Sequence, residues 1–177
     1  GNPNATIENR GTITARDAGL VGLVAPNVIN SGVITAKLGR VHLASGDTAT
    51  VDLYGDGLMQ VAVSDAVGSQ LVENTGSINA AGGTIALTAA AGSQMVNSLV
   101  HVSGELRAPA VGIHHGKIII AAEGSTAVSG NVTANKGKKQ GHSTVIVENA
   151  ILDVSGRNAG EQGGSITITG DNVALMA

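Results

Sequence analysis

The sequence predicts an all-β parallel β-helix, a solenoid of about seven coils of roughly 21–28 residues each. Three observations predict it. A short phrase returns along the chain: Asn9-Arg10-Gly11-Thr12-Ile13-Thr14-Ala15, Asn30-Ser31-Gly32-Val33-Ile34-Thr35-Ala36 and Asn74-Thr75-Gly76-Ser77-Ile78-Asn79-Ala80. Degenerate copies follow at Ser103-Gly104-Glu105-Leu106-Arg107-Ala108 and Ser129-Gly130-Asn131-Val132-Thr133-Ala134. The glycines at 11, 32, 76, 104, 130 and 156 are 21, 44, 28, 26 and 26 residues apart, and 44 reads as two turns of 22. Second, apolar residues come in short Val-, Ile- and Thr-rich runs, and no window carries a 3.6-residue stripe. Third, aromatics are 1% of the chain while glycine numbers 26. A core without rings is filled by rows of Val, Ile, Leu and Ala, which stacked coils provide.

Strands are expected at Leu20 to Ala25, Val41 to Ala44, Thr50 to Leu53, Leu58 to Val63, Thr84 to Thr88, Leu99 to Val102, Lys117 to Ala121, Thr144 to Val147 and Ser165 to Thr169. In Thr84-Ile85-Ala86-Leu87-Thr88, Ile85 and Leu87 share one face and the others share the opposite one. Ile85 and Ile119 are read as inward residues. Residues 64 to 71 form a short helical turn at most. A β-sandwich would need antiparallel hairpin signals and aromatic core residues, and Asp56-Gly57 is the one such turn. About seven coils at ~4.8 Å would make a rod of roughly 35 Å.

Each corner phrase has a mechanical reading. Glycine supplies a positive φ at a tight corner. Asn9, Asn30 and Asn74 occupy equivalent corners, so their amides are placed to form a hydrogen-bonded ladder rather than a ligand row. From residue 102 the corner becomes Val102-Ser103-Gly104, Val128-Ser129-Gly130 and Val154-Ser155-Gly156, and the coil lengthens. Corner positions are therefore Asn9, Gly11, Asn30, Gly32, Asn74, Gly76, Gly104, Gly130 and Gly156.

Net charge is −3 and charged residues are 13%, which gives no field for nucleic acid or anionic lipid. There is no cysteine, hence no disulfide framework, and no apolar run of membrane-spanning length. Gly1-Asn2-Pro3-Asn4 lacks the basic and apolar regions of a signal peptide. Asn172-Val173-Ala174-Leu175-Met176-Ala177 reads as the start of another strand. Residues 1–177 are accordingly read as a single segment of a longer chain, with longer coils from 91 and a protruding loop near 135–142.

Chemistry is sparse. Asp47, Asp52, Asp56 and Asp65 crowd one coil, but a step of 22 from each meets Ser69, Asn74, Ile78 and Leu87 rather than a second acid. Glu123 and Glu148 are coil-spaced, without a basic row beside them. No catalytic pair of carboxylates is expected. His114-His115 and His142 are 27 to 28 residues apart, yet neighbours in a strand point to opposite faces, so surface histidines are expected and no metal or cofactor. His42 and His101 find no coil-spaced partner. One copy of the Asp52–Gly57 turn falls short of a calcium repeat. The only basic run, Asn135-Lys136-Gly137-Lys138-Lys139-Gln140-Gly141-His142, would project as a loop. Lys136, Lys138, Lys139 and His142 are the candidate ligand-binding residues, with sulfated or acidic glycans as partners, against the plainer reading of a solvated loop.

Two stretches resemble the filamentous-haemagglutinin family, the large exoproteins of bacterial two-partner secretion. They are Leu23 to Ala36, followed by Gly39-Arg40-Val41-His42-Leu43-Ala44-Ser45-Gly46-Asp47, and Val51 to Leu58 with Val61-Ala62-Val63 and Val72 to Ile78. The likeness covers roughly residues 5 to 90. Leu152-Asp153-Val154-Ser155-Gly156 with Gly163-Gly164-Ser165-Ile166 extends it more weakly. The resemblance implies a right-handed β-helix, export through an outer-membrane two-partner-secretion transporter, and a place outside a Gram-negative-type outer membrane. It also implies adhesion to host or neighbouring cells, aggregation and biofilm formation. The family's N-terminal secretion signature lies outside these residues. The expected role is a structural shaft of a secreted adhesin. Its alternatives are a glycan- or cell-binding module built on the 135–142 loop and a fibre subunit that associates end to end.

Overall fold

Three parallel sheets carry the fold. The structure, a computed structural model, describes residues 2–51, 59–62, 67, 69–90, 97–122 and 142–177. Strands are numbered in chain order. The first sheet holds β1 (Thr6–Asn9), β4 (Asn27–Asn30), β9 (Ser69–Asn74), β12 (Asn97–Val102), β15 (Ser143–Glu148) and β18 (Asn172–Met176), adjacent in that order. The second holds β2 (Thr12–Thr14), β5 (Val33–Thr35), β10 (Ser77–Asn79), β13 (Glu105–Arg107) and β16 (Ile151–Asp153). The third holds β3 (Leu20–Ala25), β6 (Arg40–Ser45), β11 (Thr84–Ala89), β14 (Lys117–Ala121) and β17 (Ser165–Thr169). Among the described residues the chain visits first, second and third sheet in rotation, with an antiparallel pair, β7 (Thr48–Val51) with β8 (Met59–Ala62), set between β6 and β9. No helix occurs among the described residues, so none there is long and apolar enough to cross a membrane.

Alternation turns every second side chain inward, and parallel register stacks like on like. Val28, Val72, Val100 and Val145 form one file in the first sheet. Ile13, Ile34, Ile78, Leu106 and Leu152 form another in the second. Leu23, Leu43, Leu87, Ile120 and Ile168 form a third. The middle members are fully buried in one continuous core. Ile85, fully buried in the same core between Val41 and Ile118, is the test: Ile85→Ala should cost about 2–5 kcal/mol in denaturant melts through the cavity left behind.

The register corrects four expectations. Asn30 lies directly opposite Asn74 and Val33 opposite Ser77, so the 44-residue interval is one passage enlarged by the β7–β8 insertion, not two of 22. Ser69, Gln70 and Leu71 belong to β9, not to a helical turn. Ile119 is not inward: it sits in register with Ala86, and with Ala121 the two form a separate buried cluster on the opposite face from Ile118 and Ile120. Ala86 is therefore buried as well as Ile85 and Leu87, because the middle of the third sheet is covered on both faces.

The fourth correction concerns the corner glycines. Gly11, Gly32, Gly76, Gly104 and Gly156 are not among the positive-φ residues, and Gly130 lies outside the described residues. A Cβ at Gly32 would stand 2.1 Å from the carbonyl oxygen of Gly11, and one at Gly76 would stand 2.1 Å from that of Gly32. Gly104 meets the Gly76 oxygen at the same 2.1 Å. Close approach of backbone to backbone, rather than handedness, selects glycine there. Positive φ recurs instead between second and third sheets, at Ala18, Leu38 and Gly82, which succeed one another from passage to passage, and at the first-to-second-sheet bends it occurs at Asn149.

Candidate functional site

Among the described residues the first-to-second-sheet connection is two residues long in each of five passages: 10–11, 31–32, 75–76, 103–104 and 149–150. So short a turn cannot wander, and it leaves a shallow open groove of about 690 Å³ along the bend. Small residues make it: Ser31, Thr75 and Ser103 line it with the glycines beside them. Gly156 is not part of this bend. It lies after β16, where its Cβ position faces the Glu161 carbonyl, and the fifth bend is Asn149-Ala150, since Ile151 pairs with Glu105.

Beneath the bend runs the amide ladder. Asn9 Nδ2 donates to Asn30 Oδ1 at 2.7 Å, and Asn30 Nδ2 donates to Asn74 Oδ1 at 2.7 Å. Asn74 Nδ2 donates to its own turn, to the Gly76 carbonyl at 3.1 Å. Both Asn30 and Asn74 are completely buried. Such groups are tolerated in a core only because each finds a partner.

Charges flank the groove in pairs. Arg10 donates to Glu8 at 2.6 Å, and this bond holds the Glu8 carboxyl below its ordinary range. Arg107 reaches Glu105 at 3.0 Å and Asp153 at 3.3 Å. Asp153 is depressed further: it accepts from the Ser155 hydroxyl and backbone N–H, and Arg157 bonds it as well. On the outer face of the first sheet, His101 Nδ1 lies 3.1 Å from Glu73 Oε1 and its Nε2 lies 2.8 Å from Glu148 Oε1. Burial works against protonation of His101, but the bonds to Glu148 and Glu73 outweigh it and raise its pKa. Chemically, the groove offers hydroxyls, backbone and neutralised ion pairs to an extended ligand. Glu105 is paired with Arg107, while Glu73 and Glu148 share His101.

The sequence-stated candidates divide sharply. Asn9, Gly11, Asn30, Gly32, Asn74, Gly76 and Gly104 meet at one bend. Lys136, Lys138 and Lys139, with Glu123, lie outside the described residues. His142 is exposed and its carbonyl accepts the Ser98 N–H at 3.2 Å. His114 and His115 are not in a strand: Val111 and His114 close a turn, and His115 Nδ1 faces the Gln162 carbonyl at 3.1 Å. Among the described residues no cluster of three or more His, Cys, Asp or Glu could hold a metal.

Both histidines read as partnerless have partners. His42 is buried, with Nε2 at 2.8 Å from Thr88 Oγ1, and His101 bridges two glutamates. The signal was the offset from the corner glycine. Glu73 and His101 each stand three residues before theirs, Gly76 and Gly104, which a fixed step of 22 does not reveal. Comparison of the chain with protein-family models, curated proteins and solved structures finds no match.

Proposed function

We propose that the chain is a shaft segment of a secreted bacterial surface adhesin, wound as a right-handed parallel β-helix. The observation that carries this reading is the register. Aliphatic files run through successive strands with the same residue class at each level, and one connection never changes length. In this reading the six strands of the first sheet mark a rod about 24 Å long, shorter than about seven coils would give. Such a rod resists bending because each level pairs with the next and buries a face that it could not bury alone. The likeness to two-partner-secretion exoproteins supplies the rest of the proposal: export through an outer-membrane transporter, and spacing of binding regions away from the cell.

The test is binding of residues 1–177 to a glycan panel and to intact cells, beside a variant lacking residues 135–142. A folded, β-rich sample with no saturable binding agrees with a shaft. Saturable binding lost on deletion replaces it with a recognition module centred on Lys136, Lys138 and Lys139. Saturable binding that survives deletion points instead to the first bend, the reading that its groove favours.

A further inference from the structure

His101 sits on β12 between β9, which carries Glu73, and β15, which carries Glu148. Each ring nitrogen is within hydrogen-bonding distance of a carboxylate oxygen, 3.1 Å on one side and 2.8 Å on the other. A neutral imidazole has one N–H and one lone pair, whereas an ionised carboxylate only accepts. A neutral ring can therefore satisfy one glutamate while turning a lone pair toward the other. Both contacts together require the second proton.

We propose that Glu73–His101–Glu148 is a proton-operated clamp across three neighbouring strands, closed when His101 is imidazolium and half-open when the ring is neutral. Among the described residues, the neighbouring strands isolate the device. β12 carries no other charged residue, and β4 and β18, the next strands out, carry none at all. At the adjoining bend, Arg10 is engaged by Glu8 and Glu105 by Arg107. The three side chains are 21%, 29% and 38% exposed for His101, Glu73 and Glu148, so protons exchange freely with solvent while the contacts stay partly shielded. The raised His101 pKa agrees in direction. A folded-state pKa above the unfolded value of about 6.5 gives stabilisation that is complete below pH ~6.5 and is lost as pH rises through the folded pKa. The shaft would be firmer in mildly acidic surroundings.

The test is a pH titration of the five histidine ring resonances in residues 1–177, with His101→Gln identifying the His101 signal. Thermal melts of wild type, His101→Gln, Glu73→Gln and Glu148→Gln between pH 5 and 9 accompany it. The clamp predicts a His101 midpoint above about 6.5, lowered by either glutamine substitution and lowered further by both. It also predicts that wild type melts about 2–4 °C above His101→Gln near pH 5.5, a gap that closes above the midpoint. A midpoint at or below the ordinary histidine value, or a melting gap independent of pH, overturns it. Should His101→Gln fail to fold, titration of the sequentially assigned wild-type signal decides by itself.

Discussion

Asn9, Asn30 and Asn74 occupy the same inward file as Val102, Val147 and Leu175. Asn9, Asn30 and Asn74 are joined by donated hydrogen bonds, while Val102 and Val147 are held by apolar packing and Leu175, on the last strand, is exposed; yet the backbone bends in two residues beside both kinds. Neither chemistry is therefore needed for the bend itself. What each half needs is a neighbour of its own kind. At the junction Asn74 turns its amide to the Gly76 carbonyl, so it asks nothing of Val102. The donors all run one way along the ladder, and the last closes on backbone.

Changes of residue at this bend test that comparison, and the largest effect should come from the glycines shared by both halves. Gly76→Ala drives a Cβ into the Gly32 carbonyl, and equilibrium melts should show a loss of about 3 kcal/mol or more. Gly11→Ala meets nothing within 4 Å and should stay within about 0.5 kcal/mol of wild type. Equal effects of the two would remove close approach as the reason for glycine.

Asn30→Val strands the Asn9 donor and the Asn74 acceptor, and should cost about 1–3 kcal/mol in urea melts. Val102→Asn, the reverse change, places an amide beside a neighbour whose own amide is already engaged, and should cost about 1–3 kcal/mol. Replacing Asn9, Asn30 and Asn74 together by valine should cost less than Asn30→Val alone, because no side-chain amide is left unpaired and the Gly11 N–H that loses Asn9 is exposed to water. A triple variant as unstable as the sum of the singles would mean that the amides do more than match one another. Smallest of all is Ser31→Ala, which gives up a partly exposed 3.3 Å bond to the Asn9 carbonyl and should change stability by less than about 0.5 kcal/mol.

Residues whose meaning is local were legible in advance. Lys117 to Ala121 and Ser165 to Thr169 are strands with the bounds that composition indicates, and Asn9, Asn30 and Asn74 could be aligned because the words around them repeat. What escaped depends on what lies one passage away. Gly76 looked like a turn glycine, but the atom that excludes its side chain belongs to Gly32. Ile119 has the hydrophobicity of an inward residue, and only the register with Ala86 puts it on the other face. His101 was missed because successive passages differ in length: Glu73 lies 28 residues before it and Glu148 47 after it, so the two partners cannot be found by adding one fixed number.

The connection from third to first sheet has the opposite character to the invariant bend. It is a single residue, Pro26, after β3, and only Gly170 and Asp171 after β17, yet it runs from 122 to 142 after β14. Sequence can be added at that edge while the strand pairing on either side of it is kept, so the molecule behaves as a mounting rail whose longest additions fall on one side; the second-to-third connection varies less, from 4 residues after β5 to 11 after β16. Peptides grafted after Pro26 and after Gly170 should emerge along the same edge, in the order in which they are encoded.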